Sequence, residues 1–224
     1  MKGKINNQKK KNGKNIKYDI VIIGSGGFGR EAYFWVKDSI DFTKYQLKGF
    51  LTNIKNGLDN FKTEVGIIGD PDTYEIQEND RFIFAIGDIE AKKKITGNLK
   101  KKGAQFLTLI HPTAIVMSVE NIGEGVIICP FCLISYNVQI GDFTMINAYA
   151  TCGHDVSIGK YCILSPYAAI NGHVTLEDEV FLGTHATVTE WKKVGYQSKI
   201  SANSVAMRDI PPYKIVFGVP GKAF

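Results

Sequence analysis

The chain has 224 residues, of which 44% are hydrophobic, enough to form the core of one large domain or two small ones. Its formal charge of +5 comes from residues 1–17, which hold seven lysines, no acid and no aromatic residue. The other residues include 20 basic and 22 acidic ones, a net charge of −2. We therefore predict a disordered basic tail rather than a nucleic-acid-binding surface. The sequence has no apolar run of the roughly 20 residues that a membrane span needs and no secretory signal, so we expect a cytoplasmic protein with reduced cysteines.

The first predicted element is an apolar strand, residues 18–23 (YDIVII), which runs into a glycine-rich segment and then a helix. The glycine-rich segment reads Gly24-Ser25-Gly26-Gly27-Phe28-Gly29. A G-x-G-x-x-G pattern in this setting is typical of turns at which backbone N–H groups and a helix N-terminus approach a phosphate. An NAD-binding fold would carry an acid near the end of the second strand, where this chain has Asn53, and would need more than these roughly 90 residues. A hydride-transfer enzyme is therefore disfavoured.

Three further elements complete the N-terminal half. RFIFAIGD predicts a strand that ends at Gly87-Asp88, a lysine-rich helix follows over about residues 89–102, and QFLTLI (residues 105–110) predicts another strand. This β-α-β order is typical of a small open parallel sheet, whose ligands bind at the carboxyl ends of its strands.

A strict six-residue repeat begins at Ile110. Every sixth residue from Ile110 to Ala206 gives seventeen positions, and fifteen of them are Ile, Leu or Val. A small or β-branched residue follows four positions later in most repeats. Neither an α-helix nor a simple alternating strand has a period of six, so the repeat predicts a solenoid of short strands with one bulky aliphatic side chain per repeat inside.

The segments GSGGFGRE, FAIGD and LIHPTA, joined to a hexapeptide solenoid and a C-terminal GVPGK, resemble the sialic-acid O-acetyltransferase/UDP-amino-sugar N-acetyltransferase family from about residue 18 onwards. The resemblance implies an α/β domain like half a Rossmann fold (residues 18–109) that holds a nucleotide sugar. It implies a left-handed parallel β-helix (residues 110–224) that forms a homotrimer and binds acetyl-CoA between neighbouring subunits. The substrate-binding residues predicted in this way are Gly24, Ser25, Gly26, Gly27, Phe28, Asn53, Gly87 and Asp88.

The family's catalytic pair falls on His154-Asp155, within ATCGHDVSIG. An acceptor amine or hydroxyl must lose a proton when it attacks the thioester, and imidazole titrates near neutral pH. The adjacent carboxylate of Asp155 can hold the tautomer of His154. The resemblance further implies eighteen-residue coils, which would place His154 between Tyr136 and Gly172, and Asp155 between Asn137 and His173.

Two consequences of this stacking concern the active site. Gly172 would leave an open shelf beside His154 for a thioester carbonyl, and Asp155 could pair either with His154 or with His173. The acetyl-CoA-binding residues predicted from the resemblance are Ile163, Gly172 and Lys222.

Several positions depart from the family pattern and leave two acceptor chemistries open. Ile163 replaces a second histidine, Phe28 replaces a histidine of the glycine loop, and Thr52-Asn53 replaces an acidic pair. We expect acetyl transfer to the amino group of a nucleotide-linked amino sugar for surface glycan synthesis. The alternative is O-acetylation of a sugar such as a sialic acid or a capsule or O-antigen precursor.

A third possibility is a non-transferase solenoid, either a zinc enzyme such as a γ-class carbonic anhydrase or a structural scaffold, and the histidine spacing disfavours the zinc enzyme. His154 and His173 share one side of the solenoid, but His185 lies twelve residues further on and faces another side. Cys129 and Cys132 form a lone C-x-x-C with no second pair, which predicts packing rather than metal binding. No metal is therefore expected.

Overall fold

The computed structural model describes residues 17–224, so the predicted basic tail lies outside the described residues except for Lys17. The N-terminal part contains the strands β1 (Tyr18–Ile23), β2 (Tyr45–Leu51), β3 (Ile67–Gly69) and β4 (Asp80–Phe84), and the helices α1 (Gly27–Ser39) and α2 (Ile89–Lys101). These strands form one parallel sheet in the order β3-β2-β1-β4. The predicted α/β sheet is confirmed, and the short strand β3 is an addition to it.

Strand β1 lies between two helices, which explains its unbroken apolar sequence. Ile22 packs in the same core cluster as Val36 of α1, whereas the next residue, Ile23, packs with Leu99 of α2. All of these side chains are fully buried. Successive residues of a strand point to opposite faces, so a strand covered on both faces needs an apolar residue at every position.

Residues 105–110 do not form the single strand that the sequence predicts. Phe106 makes an isolated parallel bridge with Phe82 of the N-terminal sheet. The next strand, β5 (Leu109–Ile110), pairs with Ile127–Ile128 of the solenoid instead. The segment therefore bends after Phe106 and passes the chain from one sheet to the other.

The rest of the chain is a left-handed parallel β-helix, as predicted. Its strands pair in parallel with strands eighteen residues away, for example Thr151 with Leu133 and with Ala169. They form three sheets. Face 1 contains β5, β7 (Ile127–Ile128), β10 (Met145–Ile146), β13 (Ile163–Leu164), β16 (Phe181–Leu182), β19 (Lys199–Ile200), β21 (Ile215–Phe217) and the antiparallel β22 (Lys222–Ala223). Face 2 contains β6 (Ile115–Val116), β8 (Leu133–Ile134), β11 (Thr151–Cys152), β14 (Ala169–Ile170), β17 (Thr187–Val188) and β20 (Val205–Ala206). Face 3 contains β9 (Gln139–Ile140), β12 (Ser157–Ile158), β15 (Thr175–Leu176) and β18 (Lys193–Val194).

A residue with left-handed backbone conformation lies at each corner between faces. Thirteen non-glycine residues, one every six positions from Phe131 to Asn203, have φ between 55° and 62°. This conformation is costly for residues with a side chain. Corner side chains of successive coils contact one another, by ring stacking where both are aromatic or histidine and by hydrogen bonds in pairs such as Asn137 and Asp155. The aromatic corner, between faces 1 and 2, contains Phe131, Tyr149, Tyr167, His185 and Asn203; the histidine corner, between faces 2 and 3, contains Asn137, Asp155, His173 and Trp191; the helix corner, between faces 3 and 1, contains Phe143, Tyr161, Glu179 and Gln197.

The helix corner carries helix α2 of the N-terminal sheet. Lys92 Nζ donates a hydrogen bond of 3.0 Å to the main-chain oxygen of Phe143, and Lys93 Nζ lies 2.9 Å from a carboxylate oxygen of Glu179. Lys92 is almost completely buried, and this burial lowers the pKa of its amine to about 7. These contacts join the N-terminal part to the helix corner, and α1 makes a second contact with the solenoid at β5.

The three faces differ in what they present outwards. Face 1 presents residues that are buried in its first coils, such as Ile127, Met145 and Ile163. Face 2 presents uncharged residues that are exposed or partly exposed, namely Ile115, Leu133, Thr151, Ala169, Thr187 and Val205. Face 3 presents Gln139, Ser157, Thr175 and Lys193. Face 2 is therefore an apolar sheet surface with no cover from residues 17–224.

Within residues 17–224, no helix combines the length and the apolar character that a bilayer span requires.

All four cysteines are free and buried. Burial raises their pKa values, to about 11 for Cys132 and about 12 for Cys162, so these thiols stay protonated and act as packing groups.

Candidate active site

The backbone places His154 at the first position of a corner and Asp155 at the second. Strand β11 ends at Cys152, and Asp155 has φ 58°, so the chain turns sharply and both side chains leave the solenoid. The Asp155 N–H donates to the oxygen of Tyr136 one coil before, and the His173 N–H donates to the oxygen of His154. The corner is thereby fixed on both sides by main-chain hydrogen bonds.

His154 and Asp155 form a hydrogen-bonded pair. Nδ1 of His154 lies 2.8 Å from Oδ2 of Asp155, and Oδ1 of Asp155 accepts a hydrogen bond of 2.7 Å from Nδ2 of Asn137. The hydrogen bond from Asn137, followed by the one from His154, holds the pKa of Asp155 below its usual value. An ionised Asp155 favours the tautomer of His154 with its proton on Nδ1, which leaves Nε2 as a proton acceptor. The His154 side chain is 59% exposed, so Nε2 is open to a ligand.

His173 lies beside this pair. Its Nε2 is 3.7 Å from Oδ2 of Asp155, well beyond the 2.8 Å that separates this oxygen from His154. Its ring stacks on Trp191 with a centroid distance of 3.7 Å and an interplanar angle of 11°. Of the two pairings left open by the sequence, Asp155 therefore makes the hydrogen bond with His154 and only a longer contact with His173.

Gly172 lies against the ring of His154. A Cβ atom at this position would be 2.8 Å from Cε1 and 2.9 Å from Nε2 of His154. The open shelf predicted at Gly172 is thus occupied by the imidazole itself, which can approach so closely because Gly172 has no side chain.

The glycine-rich segment joins β1 to α1 and leaves the N-terminus of the helix open. Helix α1 has no side-chain cap at Gly26 and no acidic residue in its first turn. A Cβ atom at Gly26, Gly27 or Gly87 would meet no atom within 4 Å, so the space above these residues is free. An uncapped helix N-terminus beside open glycines suits an anion such as a phosphate.

The other predicted substrate-binding residues divide into two groups. The side chains of Ser25 and Asp88 have structural partners: Ser25 is fully buried and donates to Thr52 Oγ1 at 3.0 Å, and Asp88 accepts from the Ala91 N–H at 2.7 Å as the N-cap of α2. Their side chains are therefore already occupied. The remaining residues are the buried Gly24, the partly buried Phe28, whose ring packs edge-on against Trp35, and the exposed Asn53.

Sequence and structure comparisons agree with this architecture. Residues 19–99 match the family described as the PglD N-terminal domain. The chain is similar to PerB from Caulobacter crescentus, solved with CoA and GDP-perosamine, with 28% identity and a TM-score of 0.82 over 92% of this chain and 97% of that one. The chain therefore carries a PglD N-terminal domain over residues 19–99, and as a whole it is similar to hexapeptide-repeat sugar acetyltransferases.

Two other similarities support narrower statements. The acetyltransferase domain of PglB from Neisseria gonorrhoeae FA1090 is 24% identical with a TM-score of 0.81 over 93% of this chain and 100% of that one, which shows the shared fold. A 2,3,4,5-tetrahydropyridine-2,6-dicarboxylate N-acetyltransferase from Brevibacillus brevis is 37% identical over 49 residues, 22% of this chain. That match spans only 21% of the length of the curated relative.

The other two residues predicted to bind acetyl-CoA, Ile163 and Lys222, both lie on face 1. Ile163 is buried on face 1, opposite the corner that carries His154, so the fold does not bring these two residues together within one chain. Lys222 is exposed in the last strand, β22. A contact of either residue with the coenzyme stays a prediction.

Three further residues contact predicted site residues: Asn137 contacts Asp155, Thr52 contacts Ser25, and Trp191 contacts His173. The coil length places Asn137 beside Asp155, whereas the sequence identifies Thr52 only as a departure from the family pattern. Trp191 lies eighteen residues after His173, and this spacing is the signal that could have paired the two rings.

Proposed function

We propose that the protein transfers the acetyl group of acetyl-CoA to the amino group of a nucleotide-linked amino sugar, in the cytoplasm, for the synthesis of a surface glycan. The observation that carries this proposal is the 2.8 Å contact between His154 Nδ1 and Asp155, which leaves Nε2 of an exposed imidazole as the proton acceptor.

The reaction needs a base and no other covalent chemistry from the protein. The sugar amine attacks the thioester carbonyl carbon while its proton passes to His154 Nε2. The C–S bond then breaks, the acetyl group remains on nitrogen as an amide, and the CoA sulfur takes up the proton from the imidazolium. The carboxylate of Asp155 stabilises the imidazolium that exists between these two transfers.

We assign the two substrates to different parts of the chain. Residues 18–109 hold the nucleotide sugar, whose phosphates lie at the open N-terminus of α1 beside Gly26, Gly27 and Gly87. Residues 110–224 carry the transfer site. The PerB structure contains CoA and GDP-perosamine, which supports a nucleotide-linked amino sugar as the acceptor class.

We further propose a homotrimer with active sites between subunits. Face 2 is a row of uncharged side chains without cover, and it borders the histidine corner. Exposed apolar surface that is continuous along a sheet is typical of protein–protein interfaces. A second copy packed on face 2 would form one wall of a cleft at His154.

The proposal is tested by measuring acetyl-CoA-dependent thiol release with a panel of GDP-, UDP-, dTDP- and CMP-sugars. Each amino sugar is paired with the sugar that carries a hydroxyl at the same carbon. Reaction with amino sugars alone, with an amide in the product by mass spectrometry, is the expected result.

Reaction with the hydroxyl partners alone would replace this assignment by sugar O-acetylation. The residues Phe28, Asn53 and Ile163, which depart from the UDP-amino-sugar pattern, favour that second candidate. Thiol release with no acceptor of either kind would contradict sugar acetylation.

A further inference from the structure

The histidine corner gathers three side chains whose chemistry extends beyond proton transfer. His154, Asp155 and His173 each offer a ligand atom, and these atoms lie within 4.8 Å of one another. Both imidazoles approach the same carboxylate oxygen, Oδ2 of Asp155, at 2.8 Å and 3.7 Å. We propose that these residues bind Zn²⁺ or a similar divalent transition-metal ion, and that the bound ion reversibly stops the reaction.

The spacing fits a small tetrahedral ion. Zinc bonds to nitrogen and oxygen ligands of about 2.0 to 2.1 Å place neighbouring ligand atoms about 3.3 Å apart. The observed distances from Asp155 Oδ2 to the two imidazoles, 2.8 Å and 3.7 Å, lie on either side of that separation. Shifts of about half an ångström would bring both of these separations to that value. The two imidazole nitrogens, which lie within 4.8 Å of each other, would also close around the ion by rotation of partly exposed side chains, and solvent would supply the fourth ligand.

Two further residues hold the ligands in place. Asn137 donates to Oδ1 of Asp155 at 2.7 Å, which leaves Oδ2 directed at the imidazoles. Trp191 stacks on the ring of His173 and fixes its orientation. Metal sites depend on such outer partners, since a ligand that is already ordered loses less conformational freedom when the ion binds.

The donor set selects the class of ion. Two imidazoles and one carboxylate suit zinc, nickel, copper or cobalt, whereas calcium and magnesium require mainly oxygen ligands. We expected no metal because His185 does not join His154 and His173, and it does lie elsewhere, stacked on Tyr167 at the aromatic corner. Asp155 supplies the third ligand instead.

The described chain offers little competition for the ion. His154, Asp155 and His173 are the only group of three ligand residues found in residues 17–224. The four cysteines are buried, and burial raises their pKa values, so their thiols do not provide accessible thiolate ligands.

The inhibitory effect rests on the proposed function, although the binding does not. A metal ion that takes the lone pair of His154 Nδ1 requires the neutral ring to carry its single proton on Nε2, and this proton moves there through solvent. Nε2 then has no lone pair to accept the proton of the acceptor. The ion and the catalytic tautomer of His154 therefore exclude each other.

The test uses the full-length protein after treatment with EDTA and desalting. ZnCl₂ is titrated calorimetrically and CoCl₂ by its visible absorption, for the wild type, His173→Ala and the matched control His185→Ala. One equivalent of ion should bind to the wild type and to His185→Ala, and His173→Ala should bind about tenfold more weakly or worse. Equal zinc affinity of His173→Ala and the wild type would overturn the site.

Inhibition is measured separately as acetylated product by mass spectrometry, because Zn²⁺ also binds the thiol of free CoA. Each variant is compared with its own zinc-free rate. Zinc should inhibit the wild type, EDTA should restore its activity, and His173→Ala should require about tenfold more zinc. Zinc that saturates the site without slowing transfer would refute the inhibitory role. A protein that acetylates no acceptor would contradict the proposed function, while the zinc isotherms would still decide the site.

Discussion

The histidine corner and the helix corner have the same backbone, with one left-handed residue per eighteen-residue coil, but they meet different surroundings. At the helix corner, α2 packs on the corner residues. Lys92 binds the main-chain oxygen of Phe143, and Lys93 forms an ion pair with Glu179. At the histidine corner, His154 and Asp155 are largely open to solvent.

The difference shows how a repetitive scaffold separates stability from chemistry. The inward-pointing residues are mostly Ile, Leu or Val on all three faces, so the core does not determine which corner becomes a site. The position of the site is determined by the corner residues and by what packs on them. The predictions below test whether the two corners divide these roles as the structure indicates.

The largest expected effect is the loss of catalysis in His154→Ala. Turnover should fall about 10²- to 10⁴-fold because the proton acceptor is lost. The His154 side chain is exposed, so the substitution should have little effect on folding. The measurement is kcat with the best acceptor of the substrate panel, beside the melting temperature as a control for folding. Turnover close to that of the wild type would assign catalysis to another part of the molecule.

The next effect concerns the uncovered face beside the histidine corner. Ala169→Arg places a charge on face 2 and should prevent trimer formation, with a loss of activity that we expect to be on the order of 100-fold, because one wall of the cleft is missing. Thr175→Arg places the same charge on face 3 and is the matched control. Mass by light scattering and activity are measured for both variants, and an active monomer would contradict the site between subunits.

Gly172→Ala tests the close approach of backbone and imidazole. The added Cβ would lie 2.8 Å from Cε1 of His154, so the ring must turn away from its present position. We expect kcat to fall roughly 10- to 100-fold with little change in KM or melting temperature. A variant with unchanged kcat would show that the ring position over Gly172 is unimportant for transfer.

Asp155→Asn should have a smaller effect on catalysis than the loss of His154. The amide keeps the shape and can still contact His154 Nδ1, but it no longer stabilises an imidazolium. We expect kcat to fall about tenfold to hundredfold, the effect of losing one hydrogen bond to a charged group. A loss as large as that of His154→Ala would mean that the carboxylate is as necessary to the reaction as the base.

The smallest effect, and the only gain, is expected at the helix corner. The pKa of Lys92 is about 7 in the folded protein and 10.5 when exposed, so below pH 7 folding buries a charge, and this cost disappears as the pH rises towards 10.5. Lys92→Met should therefore raise the melting temperature by several degrees at pH 7, and the gain should shrink at higher pH. The exposed Lys94→Met is the control. A lower melting temperature for Lys92→Met at pH 7 would show that the hydrogen bond to Phe143 outweighs the burial of the charge.

Much of the solenoid could be predicted from the sequence because each hexapeptide repeats its inward residue without a frame shift. The contacts around His154 required the coil length as well, which came from the family resemblance rather than from the period of six. With eighteen residues per coil, the neighbours Tyr136 and Gly172 follow by arithmetic. The position of the imidazole over Gly172 depends on side-chain geometry, which no spacing contains.

Other features could not be predicted because their partners are distant in the sequence. Helix α2 has the composition of a solvent-exposed helix, yet Lys92 is buried against a main-chain oxygen 51 residues away. Ser25 and Asp88 are polar residues at the expected ligand-binding edge, and the nearby Thr52 hydroxyl and Ala91 N–H engage their side chains. In each case a local pattern indicated the correct region and tertiary contacts determined the role.

The regular spacing of the left-handed corner residues has a consequence for changes in chain length. A deletion of eighteen residues after Asp155 would remove one whole coil and return every later residue to its original corner, one storey lower. A deletion of six residues would shift all later residues by one face, so that residues of one corner would follow, in the next coil, the residues of a different corner. Natural or engineered variation in the length of this solenoid should therefore proceed in whole coils wherever the site, the bound helix and the uncovered face must keep their positions.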